Sequence, residues 1–269
     1  MGDGRSSAER LFRPAAEPAR ADLIRRFLLA QGWAGLSPGD HLQRLQAQGL
    51  SPEDFLWWLP GPGGEVRAVA VMAQGRLGLI VPTRDGRPAA QELLERHLAG
   101  AHRVMVIEGQ LDCTSLSEFA VHAREVTVAP QLGRDATGLP STRPARLEDA
   151  PELHRIYEQV SWMRQDSPEL WVERLEQEPA WVAEIDGRVI AAARWTKSFG
   201  QAVEVGGVAT HPDFRRRGGG SAATLAATAA ALERGLLTVL RYGDPELAAL
   251  YHPLGFQPVG RELVFYRSS

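Results

Sequence analysis

The stretch FRRRGGGSAAT, residues 214–224, constrains this chain more than any other. Three arginines run into three glycines, and an alanine-rich run with no helix breaker continues to Gly235. A strand pattern, Val203 to Thr210, leads in, and a helix pattern, Ser221 to Arg234, leads out. Glycine removes side chains where a backbone must turn and lets another group come close. The first N–H groups of the following helix have no internal acceptor, and the helix dipole puts partial positive charge there. Such a junction is suited to an anion. Regular patterns on both flanks exclude a flexible linker. A formal net charge of −3, with 23% charged residues, argues against a protein that coats nucleic acid.

The kind of anion is narrowed by what is missing. A nucleotide-binding P-loop needs Gly-Lys-Ser/Thr, whereas Gly220 is followed by Ser221-Ala222 and the only lysine is Lys197. A dinucleotide fold needs repeated βαβ units and a downstream acid, and neither pattern is present. There is no H-E-x-x-H and no cysteine cluster, so no metal is expected. The single cysteine, Cys113, allows no disulfide within the chain and reads as a small core residue in a reducing, cytoplasmic setting. The opening MGDGRSSAERLFRPAAEP has no apolar segment of the kind a signal peptide carries. No apolar run approaches the roughly 20 residues of a membrane span.

With 269 residues, 44% of them hydrophobic, the chain holds one large domain or two of about 130 residues. The organisation expected is a mobile N-terminus at 1–17, a first domain at 18–130, a linker at 131–142 and a second domain at 143–269. In the first domain, Leu23, Ile24, Phe27 and Leu28 share one face of a helix from Pro18 to Ala30. Ser37-Pro38 and Ser51-Pro52 each read as an N-cap followed by a first helical proline, the second opening a short helix SPEDFLWWLP. Strands are expected at Val66–Met72 and Leu77–Val81 around a Gln74-Gly75 turn. A helix at Arg87–Leu98, a strand at Arg103–Ile107, a helix at Ser115–His122 and a strand at Glu125–Val128 complete it. The second domain starts helices at Asp149-Ala-Pro-Glu152, a capping-box pattern, and at Ser167-Pro168. A hairpin follows, Trp181–Ile185 and Val189–Trp195 around Asp186-Gly187. After the glycine loop come a strand at Leu236–Tyr242, a short helix at Pro245–Tyr251 and one or two closing strands over Phe256–Tyr266.

In this context Arg215-x-x-Gly218-x-Gly220 fits the Q/R-x-x-G-x-G/A signature of the GCN5-related N-acetyltransferases, the GNAT superfamily. The segment from Asp244 through Tyr251 to Gly255-Phe256 resembles that family's N-x-x-A-x-x-L-Y-x-x-x-G-F element, with Asp244 in place of Asn and Leu247 in place of Ala. The resemblance covers about 125 residues, and Gly206-Gly-Val-Ala-Thr-His-Pro212 is similar to the FR47-like branch. It implies an α/β (α+β) fold of tandem GNAT-like domains, each a mixed central sheet flanked by helices. The second domain has the splayed sheet that binds acyl-coenzyme A. The first half, with VMVIEGQLDCTSLSEF at 104–119, is similar to the companion domain of some bacterial acetyltransferases. It lacks R-x-x-G-x-G, and no cofactor is expected there.

The resemblance implies an N-acetyltransferase in which an amine attacks the thioester of acetyl-coenzyme A directly. Tyr251 would be the general acid toward the departing thiolate and Glu204 the general base, with His211, His252 and Glu184 as weaker alternatives. Val208, Ala209 and Thr210 would meet the pantetheine arm through main-chain groups. Arg215, Arg216, Arg217, Gly218, Gly219, Gly220 and Ser221 would surround the pyrophosphate, with Asp244 near the cofactor. Trp162 and Trp171 would shape the acceptor site. The acceptor expected is a small amine or amino-acid-like molecule, with no nucleic acid or membrane partner; a protein amine and a homodimer stay open. The rival reading is an acyl-coenzyme A sensor without turnover, kept in play by Asp244 and Leu247.

Overall fold

The computed structural model describes residues 12–160 and 167–267. They divide into two units: residues up to Val126 together with those from Val259 onward, and Thr127–Pro258.

The first unit is anchored earlier than expected. Phe12 is fully buried and Ala15 nearly so, and β1 (Arg13–Pro14) between them pairs antiparallel with Trp57 and Trp58; residues 1–11 lie outside the described chain. α1 (Pro18–Ala30) buries Ile24 and Leu28, as its periodicity predicts. α2 (Trp33–Ala47) runs straight through Ser37-Pro38 instead of starting there. Pro38 forfeits one backbone bond, and burial of Leu36, Leu42 and Leu45 on the same helix offsets it. α3 (Pro52–Phe55) keeps its proline start but lasts one turn. LWWLP is instead β2 (Leu56–Pro60), because Leu56 to Leu59 pair with Val71 to Ala68.

β3 (Val66–Ala73) and β4 (Arg76–Ile80) join through Gln74 and Gly75, both at positive φ (51° and 68°), the twist a two-residue hairpin needs. α4 (Arg87–His97) and β5 (Arg103–Ile107) form as expected. The helix expected at Ser115–His122 does not form. A single turn at Thr114–Leu116 gives way to β6 (Phe119–Ala129), which absorbs the shorter strand predicted at Glu125–Val128. The C-terminal strand β12 (Gln257–Arg267) differs from its expected place in the second domain. Glu262 to Tyr266 pair antiparallel with Ile107 to Arg103, and Phe265 enters the core formed by Val104, Val106 and α4. The strand order here is β1-β2-β3-β4-β5-β12-β6.

In the second unit the order is β11-β10-β9-β8-β7. β7 (Ser141–Pro144) takes the last residues of the expected linker. α5 (Ala150–Tyr157) and α6 (Pro168–Gln177) follow, α6 capped by the Ser167 hydroxyl accepting from the Leu170 N–H at 3.3 Å. Asp149 does not pair with Glu152 as a capping box. Its carboxylate accepts from the Arg146 N–H (2.7 Å) and from the Arg143 guanidinium (2.7 and 2.8 Å), which closes the preceding turn instead. β8 (Ala180–Ile185) and β9 (Arg188–Phe199) form the Asp-Gly hairpin. β10 (Ala202–Thr210), α7 (Gly219–Leu232), β11 (Leu237–Tyr242) and α8 (Ala248–Tyr251) complete the unit. Ala223, Ala227 and Ala231 of α7 are fully buried against one face of the sheet. The other face packs on Leu153, Ile156, Tyr157 and Trp171. Among the described residues no helix is long and apolar enough to cross a membrane.

Candidate active site

The site begins where two parallel strands part. β10 pairs with β11 only through Ala202, Val203 and Glu204, opposite Leu237, Thr238 and Val239. Beyond Glu204 the two strands diverge. Register shifts against β9 fall at Glu204/Val205 and between Gly206 and Ala209, so β10 bends at the parting. Edge amides that lose a strand partner are free to meet a ligand.

The glycine loop lies at the end of this bend. Arg216 and Gly218 both take positive φ (62° and 81°). The first backbone bond of α7 runs from the Ala222 N–H to the Gly218 carbonyl at 2.9 Å. The N–H groups of Gly219, Gly220 and Ser221 therefore have no acceptor inside the helix. A Cβ on Gly219 would meet Ile190 at 2.9 Å, so this glycine lets the helix seat on the sheet. A Cβ on Gly220 would stand 3.2 Å from Thr210 Oγ1 and 3.5 Å from Val208 Cγ1, inside the opening between strand and helix. The absence of a side chain there keeps a cradle open, which fits a diphosphate with a thin arm passing between the strands.

A cavity of about 310 Å³ joins these elements. Val208, Ala209 and Thr210 of β10 line it together with Arg215, Gly220 and Tyr251. Sequence reasoning named all six. It did not place Ile156, Val160 and Leu250, which close the cavity with Leu247. Arg216 and Arg217 are exposed, Arg217 lying 5.3 Å over the Phe214 ring.

Tyr251 is 6% exposed, stacked on Tyr242 at 5.6 Å and edge-on to Phe256 at 6.2 Å. Burial, with Tyr242 beside it, pushes its pKa up to about 12. It keeps its proton at neutral pH and can donate it.

Glu204 is placed otherwise than a general base requires. Its carboxylate accepts from Lys197 Nζ at 2.7 Å, from Thr196 Oγ1 at 2.9 Å and from the Arg241 guanidinium. Burial alone would raise its pKa, but Lys197 and Arg241 overcome burial and hold it at about 2. A carboxylate so tied is a poor proton acceptor. Glu204 sits instead as a clamp at the last paired rung before the strands part, joining β9, β10 and β11. Asp244 is absent from the cavity wall; its carboxylate caps its own turn by accepting from the Glu246 N–H at 2.9 Å. The other candidates serve local structure. His211 Nδ1 accepts from the Asp213 N–H (3.3 Å), His252 meets the Tyr242 hydroxyl (3.2 Å), and Glu184 pairs with Arg143 (2.8 Å).

Tyr157 was not singled out from the sequence. It is buried, stacks on Trp171 at 4.4 Å, and its hydroxyl donates to the Gly207 carbonyl within the bent part of β10. Trp171 is thus a wall behind the strand, while Trp162 lies outside the described residues.

Residues 147–256 match the model of the acetyltransferase (GNAT) family. Solved structures are similar over both units. A GCN5-related N-acetyltransferase from Sphaerobacter thermophilus is 17% identical, with TM-score 0.60 over 94% of each chain. A tandem GNAT protein from the clavulanic acid biosynthesis pathway is 16% identical, with TM-score 0.57 over 94% of this chain and 97% of that one. A GCN5-related N-acetyltransferase from Kribbella flavida is 22% identical, with TM-score 0.53 over 76% and 87%. No curated protein matches the sequence. The fold is the mixed α/β fold of GNAT structures, and acetyltransferase is the enzyme class that the family match supports.

Proposed function

We propose that the second unit transfers the acetyl group of acetyl-coenzyme A to a primary amine on a small or amino-acid-like acceptor. The observation that carries this reading is the joining, in one cavity, of the unpaired edge of β10, the open face of Gly220 and the protonated Tyr251. The thioester supplies an activated acetyl group. Main-chain groups of Val208 and Thr210 hold the pantetheine arm, and the N–H groups from Arg216 to Ser221 meet the pyrophosphate. The amine nitrogen bonds to the acetyl carbon as the carbon–sulfur bond breaks. Tyr251 donates its proton to the departing thiolate, and the proton released by the amine returns through solvent. Glu204 holds the parting open and takes no proton.

The first unit is read as a GNAT-like copy that binds no cofactor, and the second as an FR47-like member working in the cytoplasm. The first unit's support is its topology: three antiparallel pairings, then a parallel pair, β4 and β5, joined through α4. The experiment is a titration with acetyl-coenzyme A, followed by thiol release across a panel of amines. Saturable binding with acceptor-dependent release is expected. Binding without release for every amine would favour the sensor.

A further inference from the structure

We propose that the first unit carries a second, separate site for a compact oxyanion, between α2 and the row of side chains that begins with Arg76 and Arg103. Strand register sets the row. Arg76 of β4 is paired with Arg103 of β5, and Arg103 with Tyr266 of β12, so the three stand side by side on one face. The Arg103 guanidinium lies 5.5 Å over the Tyr266 ring, and Arg124 donates to the Tyr266 hydroxyl at 3.3 Å. The opposite face carries Leu77, Leu79, Val104 and Val106 against α4, and the face of the arginines continues into the buried Ile80 and Val264.

α2 packs on β3 and β4, and its first residue, Trp33, lies against Gly260 of β12. One turn apart on this helix, Ser37 and His41 share a face. Ser37 Oγ and His41 Nε2 are both buried, and neither has a hydrogen-bond partner. Burial lowers the His41 pKa first, and Arg76 and Arg103 lower it further, which places both arginines within electrostatic reach of the ring. The nearby carboxylates are already engaged. Asp40 pairs with Arg44 at 2.9 Å, and Glu262 faces Arg124 at 3.9 Å. Among the described residues Arg76 and Arg103 have no carboxylate partner. Like charges directly opposite on neighbouring strands repel, and buried polar atoms normally find a partner. Two guanidinium groups without a carboxylate, that of Arg76 exposed and that of Arg103 half-buried, thus stand near a buried hydroxyl and a buried imidazole nitrogen that lack partners. Phosphate and carboxylate groups supply several oxygens in that geometry.

The test uses the full chain, with inorganic phosphate and acetate as probes, at constant ionic strength set with chloride. Binding is followed by the thermal midpoint and by calorimetry. The glycine cradle also attracts anions, so Arg76→Ala/Arg103→Ala is compared with Gly220→Val. The expected result is a phosphate response that weakens at least tenfold in Arg76→Ala/Arg103→Ala and persists in Gly220→Val, with acetyl-coenzyme A affinity unchanged in the former. A response to acetate alone, lost in the same double variant, supports the site and assigns it to a carboxylate. Ser37→Ala and His41→Gln, expected to weaken binding about threefold each, keep the test decisive should the double variant misfold. No response to either anion, or one removed only by Gly220→Val, overturns the site without touching the acetyl-transfer reading.

Discussion

The two units each contain a pair of neighbouring parallel strands followed or bridged by a helix, and only one pair opens. In the first unit Arg76, Leu77, Gly78 and Leu79 of β4 stay in register with Arg103, Val104, Met105 and Val106 of β5. The next amide, that of Val81, is taken by Gln110 Oε1 at 2.8 Å. The loop beyond holds an Arg67–Asp85 ion pair, and α4 starts Arg87-Pro88, where proline brings no N–H to offer. In the second unit pairing stops after three rungs, a buried carboxylate pins the last of them, and the helix starts on glycines. The two pairs thus share a topology and differ in two features, a strand that leaves its neighbour and a helix start with its amides bare, and the proposed function rests on both.

The comparison is broken most severely at the pin. Glu204→Ala removes the buried carboxylate that Lys197 and the almost fully buried Arg241 side chain both contact. Removing one member of a buried ion pair costs about 3–5 kcal/mol, so urea unfolding of this variant is expected to show a loss of that order. If Glu204 were instead the base, Glu204→Gln would abolish the limb of the pH–rate profile assigned to it, with stability little altered. The same network gives a pH dependence. The folded pKa of Glu204, about 2, lies below its ordinary 4.5. The stability it contributes is complete above pH 4.5 and is lost as pH falls toward 2. Acid unfolding of Glu204→Gln is expected to be correspondingly shallower across that window.

Smaller effects sharpen the contrast. Tyr251→Phe removes the hydroxyl proposed as the proton donor while keeping the ring stack, and kcat is expected to fall about a hundredfold with little change in KM. A variant with full turnover would return Tyr251 to a packing role. Gly220→Val fills the cradle beside Val208 and Thr210, and overpacking of this kind costs about 1–3 kcal/mol, equivalent to about 5–150-fold in acetyl-coenzyme A affinity. The counterpart change in the first unit is Gly86→Ala, whose added carbon would lie 3.3 Å from Thr83 Oγ1 and Val81 Cγ1. It is expected to shift stability by less than about 1 kcal/mol and to leave acetyl-coenzyme A binding at one equivalent per chain. Two equivalents would erase the distinction between the units.

What could be read from the sequence was local. The glycine loop and the Gln74-Gly75 and Asp186-Gly187 turns depend on backbone freedom that few residues allow, so they are visible residue by residue. What was missed depends on distant partners. LWWLP is an apolar run that reads equally as helix or strand until Val66 to Val71 fold beside it. Residues 119–122, expected as the end of a helix, belong instead to a strand of eleven residues. The closing strand found β5, more than 150 residues earlier in the chain. Glu204 reads as a base from its place on the strand before the loop and from the family resemblance; the partners that tie its carboxylate are not neighbours in sequence, Lys197 standing seven residues before it and Arg241 thirty-seven after.

The most direct measurement is a crystal structure of the full chain with coenzyme A. The account predicts pyrophosphate oxygens about 2.7–3.2 Å from main-chain N–H groups between Arg216 and Ser221, with the pantetheine arm lying along the unpaired edge of β10 toward Tyr251. Coenzyme A seated between β4 and β5 instead, or its diphosphate held away from the glycine loop, would contradict it.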